Sequence, residues 1–309
     1  MRVSRGIRAG AWALVAAGLA APVVRRRGRI PNPVALALAG LSLPALAVAV
    51  PRRRARDVAL GCMNMWAYLA AYEMPYDDPE RLRARVRIDY PIAIDRVIGL
   101  GVPPTVRLQA RANPARISRL ERALTWCHWV WFAVPHATVA YIIWRAPERF
   151  PAAAARMYAV FDIGAVCYWV IPTAPPWYAS KQGRLGDAQL PQVRRMMLEY
   201  GEQFWGERWP GLYDVLGGNP LAAMPSLHFA SSVMGAQLLR EVGPISGAVG
   251  WAYALSLGLA LVYLGEHYAA DLVAGAALAE TVRTQAWRAV PALGALTRVL
   301  QALERRAGG

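Results

Sequence analysis

At 309 residues, with 56% hydrophobic and only 18% charged residues, the chain has too little charge and too many unbroken apolar runs for a soluble protein, and it reads as integral to a membrane. Its formal charge of +15 comes almost wholly from arginine, Lys181 being the single lysine; with no nucleic-acid module in view this excludes a nucleic-acid partner and fits attraction to anionic headgroups. Cys62, Cys127 and Cys167 lie in apolar stretches without CxxC spacing, which excludes a disulfide framework and a zinc site.

The length accommodates about six to eight spans of roughly 20 residues. Arg2, Arg5 and Arg8 precede the apolar run 9–24 as in a signal peptide. Arg25-Arg26-Arg27-Gly28-Arg29 follow at once, which favours an uncleaved first span. Further runs cover 33–50 and 58–74; the first and third runs are short enough to be tilted, interfacial or re-entrant. Residues 1–74 thus form a set of N-terminal membrane segments.

Residues 75–122 are rich in arginine yet keep Tyr76, Leu82, Val86, Ile88, Ile92, Ile94 and Val97. Arg81, Arg83, Arg85 and Arg87 cannot share one helical face, because steps of two rotate by about 200°. Two readings stay open: a helix on the membrane surface with side chains snorkelling to phosphates, or a solvated loop with short helices. Apolar runs resume at 123–144, where His128 and His136 fall eight residues apart on roughly one side, as intramembrane hydrogen-bonding groups, and at 152–172. Residues 173–224 form a long loop carrying Trp177, Tyr178, Trp205 and Trp209, long enough to be a cover rather than a connection. Runs at 226–242, 246–264 and 268–286 follow, and then a basic tail at 287–309. Proline and glycine punctuate the joints.

Two motifs carry chemistry: Met224-Pro225-Ser226-Leu227-His228, and Gly265-Glu266-His267-Tyr268-Ala269-Ala270-Asp271. Ionisable side chains at the edge of an apolar bundle are costly and mark function. From His228 to His267 is 39 residues. A helix over 226–242 travels about 25 Å, turns at Gly243-Pro244 and returns, so both histidines reach one membrane face. Asp271, four residues after His267, lies on the same face of the last long helix and fixes the tautomer of that imidazole, leaving the other nitrogen as nucleophile or base. His228 stands near a helix start, where free N–H groups offer a cradle to a phosphate oxygen, and Ser226 either caps that helix or donates to the phosphate. These are the parts of an in-line phosphoryl transfer.

At Pro172-Thr173-Ala174-Pro175-Pro176-Trp177, Met224–His228 and Glu266–Asp271 the chain resembles the PAP2 superfamily of membrane phosphatases and phosphotransferases. The similarity is closer to its branch of inositol-phosphorylceramide and sphingomyelin synthases. The resemblance implies an all-α integral membrane fold, with a six-helix transmembrane core within 123–286, additional N-terminal membrane segments and interfacial helices. It implies that His267 attacks phosphorus, Asp271 orients it, and His228 protonates the leaving alcohol and later activates water or an acceptor hydroxyl. Neither metal nor cofactor enters that scheme. Ser226, Lys181, Arg184 and Tyr268 are read as substrate contacts. The partners are a lipid phosphate or phospholipid donor, a lipid or small-alcohol acceptor or water, and the cell membrane.

The pattern departs from the soluble-phosphatase version in two places. The arginine six residues before the second histidine is Leu261 here, and the Lys-x6-Arg-Pro motif is absent. Lys181, Arg184, Arg194 or Arg195 of the long loop, or the 75–122 region, is then left to supply positive charge, and the departures favour headgroup transfer, with lipid-phosphate or polyprenyl-phosphate hydrolysis as the alternative. In the family the catalytic loops face the extracytoplasmic side, which puts Arg145, Arg149 and Arg240 inside, as the positive-inside rule expects. The 75–122 arginines then fall outside if 123–144 is a full span. A rival of another class is a transporter or lipid-binding scaffold using His228, His267 and Asp271 as a proton relay; the internal repeat that would support it is not evident.

Overall fold

The structure, a computed structural model, describes residues 2–113, 116–185, 193–216 and 218–307. Within the long loop, residues 186–192 and 217 lie outside the described residues, as do residues 114 and 115 of the basic region. Packing separates two units, residues 1–74 with 284–309, and 75–283.

The first unit opens with α1 (Arg2–Arg26), α2 (Asn32–Ala49) and α3 (Arg54–Glu73). α1 and α2 pack as a hairpin, with Ala11, Val15, Ala45, Leu46 and Met63 in the core they share with α3. Arg26 grips Glu73 through Nε and Nη2 at 3.2 and 2.6 Å.

In the second unit the basic region is a set of short helices, α4 (Pro79–Arg85), α5 (Asp89–Ile98) and α6 (Pro104–Gln109). Next come α7 (Arg119–Val130), α8 (Val134–Arg145), α9 (Phe150–Val170), α10 (Pro176–Lys181), α11 (Met196–Trp205) and α12 (Trp209–Leu216). The unit closes with α13 (Leu227–Val242), α14 (Pro244–Tyr263) and α15 (Ala269–Gln285). α16 (Val290–Arg306) returns to the first unit and packs on α1 and α2. Proline occupies the first turn of α2, α4, α6, α8, α9, α10 and α14. Its missing N–H is one of the unpaired donors there in any case.

One expectation is corrected. The run 123–144 is not one continuous helix. Pro135 has no N–H to give the Trp131 carbonyl, and its ring crowds that turn; the chain passes through residues 131–133 in i→i+3 bonds, Ala133 N to Val130 O (2.9 Å) and Val134 N to Trp131 O (3.1 Å). The break separates His128, which is buried, from His136, which is exposed, so they do not share a side. Four described helices are long and apolar enough to cross a membrane, within α1, α2, α9 and α14. α13 and α15, with 16 and 17 residues, reach about 24–26 Å, short of a hydrocarbon core of about 30 Å.

α13 and α14 form the central hairpin, with α8 and α9 against α13 and α6 and α7 against α14. Thr173 stitches three segments together. Arg87 N donates to Pro172 O (2.8 Å), Thr173 N to Leu221 O (3.1 Å) and Ala223 N to Thr173 O (3.1 Å). These bonds hold the chain on either side of the long loop just ahead of α13.

α14 ends at Gly265, whose φ of +81° is the left-handed conformation that closes a helix; the following Glu266 N–H returns to Leu261 O at 3.1 Å. A Cβ at Gly265 would stand 2.7 Å from Arg194 O. Gly265→Ala is therefore expected to cost at least about 2 kcal/mol, from left-handed strain plus the clash, read as a lower thermal midpoint in detergent. Gly40→Ala, inside α2 with no atom within 4 Å of its new Cβ, is expected to be neutral or to stabilise by about 0.5–1 kcal/mol. Equal shifts in the two variants would remove this account of the turn.

Candidate active site

The site is built where two helix starts and one helix end converge. Ser226, fully buried, caps α13 by accepting the Phe229 N–H on Oγ at 3.3 Å. Its own N–H donates to Asp271 O at 3.0 Å, and the Pro225 carbonyl beside it accepts the Tyr168 hydroxyl at 2.7 Å. Gly275 makes the approach possible, because a Cβ there would lie 2.6 Å from Ser226 O. On the α15 side, Asp271 Oδ2 accepts the Tyr268 N–H at 2.9 Å, so the third residue of the helix reaches back to its cap. Asp95 of α5 accepts the next two N–H groups, Ala270 at 2.8 Å and Ala269 at 3.2 Å. The α14 end is satisfied by α6: Thr105 Oγ1 donates to Val262 O at 2.7 Å and Gln109 Nε2 to Tyr263 O at 2.8 Å.

These anchors place four side chains in a row. Asp271 Oδ2 lies 3.2 Å from His267 Nδ1. His267 Nε2 lies 3.2 Å from His228 Nδ1, and His228 Nε2 lies 3.3 Å from His128 Nε2. His267, Asp271 and His128 are buried, and His228 is half-buried. Trp131, in the break between α7 and α8, sets its ring centroid 4.2 Å from that of His228 and donates Nε1–H to Ser231 Oγ at 2.9 Å. His267 does not stand on the helix as the i,i+4 spacing suggests. α15 starts at Ala269, and His267 occupies the turn before it, where its ring is free to face away from the helix.

The cation beside this row is Arg195, a bidentate partner of Glu266 through Nε (2.9 Å) and Nη2 (3.1 Å), with Nη1 on the Tyr213 hydroxyl. Its guanidinium also stacks 4.2 Å from the Trp177 ring centroid. Burial opposes both charges, yet each holds the other: Glu266 titrates below the usual carboxylate range because of Arg195, and Arg195 above its own because of Glu266 and Tyr213. Removing one member of such a buried pair costs about 3–5 kcal/mol, so the pair locks the 193–195 segment onto the α14–α15 turn.

Of the residues singled out from sequence, His228, His267, Asp271 and Ser226 meet here. Tyr268 follows directly, fully buried, with a hydroxyl that has no partner among the described residues. Lys181 lies over Trp177 at 5.3 Å, and Arg184 pairs with Asp89 at 2.5 Å. Leu261 is wholly buried and gives its carbonyl to the N–H groups of Glu266 and His267. Sequence reasoning missed the contact from His128 to His228, the Glu266 partner of Arg195 and the Asp95 cap. Only Glu266, adjacent to His267 in the motif, carried a local hint.

A PAP2 superfamily model matches residues 92–282. The chain belongs to that superfamily, and with its apolar helices it is an integral membrane protein. No curated protein and no solved structure matches it.

Burial pushes the Asp95 carboxyl up to about 6, against the two backbone N–H bonds that favour its charge, and nearby Asp271 adds to the rise. A folded pKa above the ordinary 3.8 means that the stability tied to this group is present below that value and lost as pH rises through about 6. Asp95→Asn keeps an acceptor for the helix start and cannot ionise. Between pH 4 and 7 the wild-type thermal midpoint is expected to fall relative to that of Asp95→Asn, while Asp95→Ala runs lower throughout by about 0.5–2 kcal/mol for the lost cap. Parallel pH curves for wild type and Asp95→Asn would contradict the assignment.

Proposed function

We propose that this protein is a membrane-embedded enzyme that transfers a phosphate or phospho-headgroup between lipid-linked alcohols through a phosphohistidine, with His267 as nucleophile, Asp271 as its orienting acid and His228 as the proton carrier. The observation that carries the reading is the position of His267, with one ring nitrogen 3.2 Å from Asp271 and the other 3.2 Å from His228. An ionised carboxylate only accepts, so Nδ1 of His267 holds the proton and Nε2 keeps its lone pair for phosphorus.

In the first step the Nε2 lone pair forms the P–N bond, the bond from phosphorus to the leaving oxygen breaks, and that oxygen takes the Nδ1 proton of His228, which enters the step as an imidazolium and leaves it neutral. Phosphorylated His267 is then cationic, and Asp271 balances the charge. In the second step His228 Nδ1 takes a proton from the acceptor hydroxyl, whose oxygen attacks phosphorus while the P–N bond breaks and returns the lone pair to His267. The start of α13, with His228 in its first turn, is the anion-facing end of a helix dipole, and Ser226, Tyr268, Lys181 and Arg184 are proposed contacts of the substrate.

Headgroup transfer is favoured over hydrolysis. Leu261 fills a buried structural place where the phosphatase pattern has an arginine, and Trp131 covers one face of His228 with an indole, which limits water at the proton carrier. The core is read as the six-helix arrangement of the family, with α7, α8, α9, α13, α14 and α15 as its helices and the site toward the extracytoplasmic side.

With purified protein in detergent and a panel of lipid phosphates and phospholipids, wild type is expected to yield an acid-labile, base-stable phosphoryl adduct that His267→Ala lacks. Asp271→Asn is expected to slow turnover by about 10²–10⁴-fold. Added diacylglycerol or another lipid alcohol should divert product from free phosphate to new phospholipid; free phosphate alone in that arm would establish a phosphatase. Headgroup release that survives both substitutions unchanged would remove the mechanism.

A further inference from the structure

A phosphoryl group in transfer spreads negative charge over its outer oxygens, and its catalysis is largely the placing of fixed positive charge against them. Leu261, wholly buried, supplies none. We infer that Arg195 binds those oxygens, with Glu266 and Trp177 holding its guanidinium ready. The inference rests on His267 as the nucleophile of the proposed mechanism.

The backbone that carries Arg195 is fixed first. Gln109 of α6 accepts the Arg194 N–H on Oε1 at 2.8 Å and donates Nε2–H to the Arg194 carbonyl at 3.0 Å. One residue earlier, the Val193 N–H donates to Ser180 Oγ of α10 at 2.9 Å. The missing side chain of Gly265 lets this segment lie against the turn that carries His267, since a Cβ there would meet Arg194 O. The Gly265 carbonyl accepts the Trp177 N–H at 3.2 Å, which brings the indole to the same turn. Arg195 then reaches Glu266, the residue bonded directly to His267 in the chain, with its plane held against the Trp177 ring.

Bonding capacity is left over. A guanidinium carries five N–H donors. Glu266 takes that of Nε and one of Nη2, and the Tyr213 hydroxyl takes one of Nη1. Nη1 and Nη2 therefore each keep one N–H that these bonds do not use. The side chain is only 13% exposed, so little water competes for them. The pair is close enough for charge to act on the rings: Arg195 on His128, and Glu266 on both His128 and His267. An arginine buried without a carboxylate is costly. Glu266 removes that cost and orients the guanidinium along one edge, which leaves its other donors for a second anion. The other basic residues of the loop are placed differently. Lys181 and Arg184 are exposed, and Arg194 is engaged by Glu199 and the Asn113 carbonyl.

A pair that only fastens the loop and a pair that presents a cation make opposite forecasts, because one depends on pairing and the other on charge. The full chain in detergent is titrated with tungstate, a tetrahedral dianion, at constant ionic strength, reading the thermal midpoint. Wild type is compared with Arg195→Gln, Glu266→Gln and the double variant. The double variant keeps two amides able to bond each other and buries no unpaired charge, so it is expected to fold. It should need about 10–100-fold more tungstate than wild type for the same shift, the worth of a hydrogen bond to an ion. Glu266→Gln, which keeps the cation, should need no more than wild type, and Arg195→Gln at least as much as the double variant. Wild type and double variant responding alike, or wild type not responding, would overturn the inference.

In the same preparations the His267 adduct should form about 10–100-fold more slowly in the double variant than in wild type. An equal rate would also overturn the role of Arg195, and the parent mechanism would stand. If wild type forms no adduct, the parent mechanism fails instead, and the assignment of Arg195 to the transferred group falls with it.

Discussion

The arrangement depends on a single buried carboxylate. Asp271, with no exposed surface, reaches back to the Tyr268 N–H and thereby sets the first turn of α15. The same oxygen holds His267 Nδ1, and the backbone carbonyl of the same residue receives the Ser226 N–H that precedes α13. Helix start, imidazole tautomer and the joining of the two motifs are thus one constraint. A charge kept so far from water is costly unless hydrogen-bonded; here every bond that offsets the cost also places a group of the site.

Around that constraint, helix ends are satisfied by side chains from elsewhere in the chain. Asp95 caps α15 across 174 and 175 residues of sequence, and Gln109 joins the end of α14 to the segment before α11. The Arg195–Glu266 pair closes the same turn from the loop side. Each of these tethers is polar and directional. Apolar packing alone would fix the depth of His267 but not its rotation about the chain, and phosphoryl transfer is sensitive to misplacement of about 1 Å.

The break between α7 and α8 has a comparable logic. A continuous helix over 119–145 would carry its side chains past the start of α13 at fixed 100° steps. The interruption at residues 131–133 brings His128 and Trp131 to the same ring of His228. One of them brings a ring nitrogen to 3.3 Å from His228 Nε2 and the other covers a face of the His228 ring.

What the sequence determined by itself was the membrane setting, the helical class and the pairing of the two motifs. Hydrophobic run length, proline punctuation and the rise per residue are local quantities, and 39 residues can only be an out-and-back hairpin when the apolar runs on both sides have span length. His228, His267 and Asp271 were legible for that reason, and so was Ser226 as a cap. The tertiary structure decided the rest. That His128 touches His228 across 100 positions, that Arg195 belongs to Glu266 across 71, and that Asp95 of α5 caps α15 are contacts between elements with no shared period or spacing. The interrupted helix was hidden for the opposite reason: residues 123–144 are apolar throughout, so hydropathy saw one span, and only the missing N–H of Pro135, acting on the carbonyl four residues earlier, divides it.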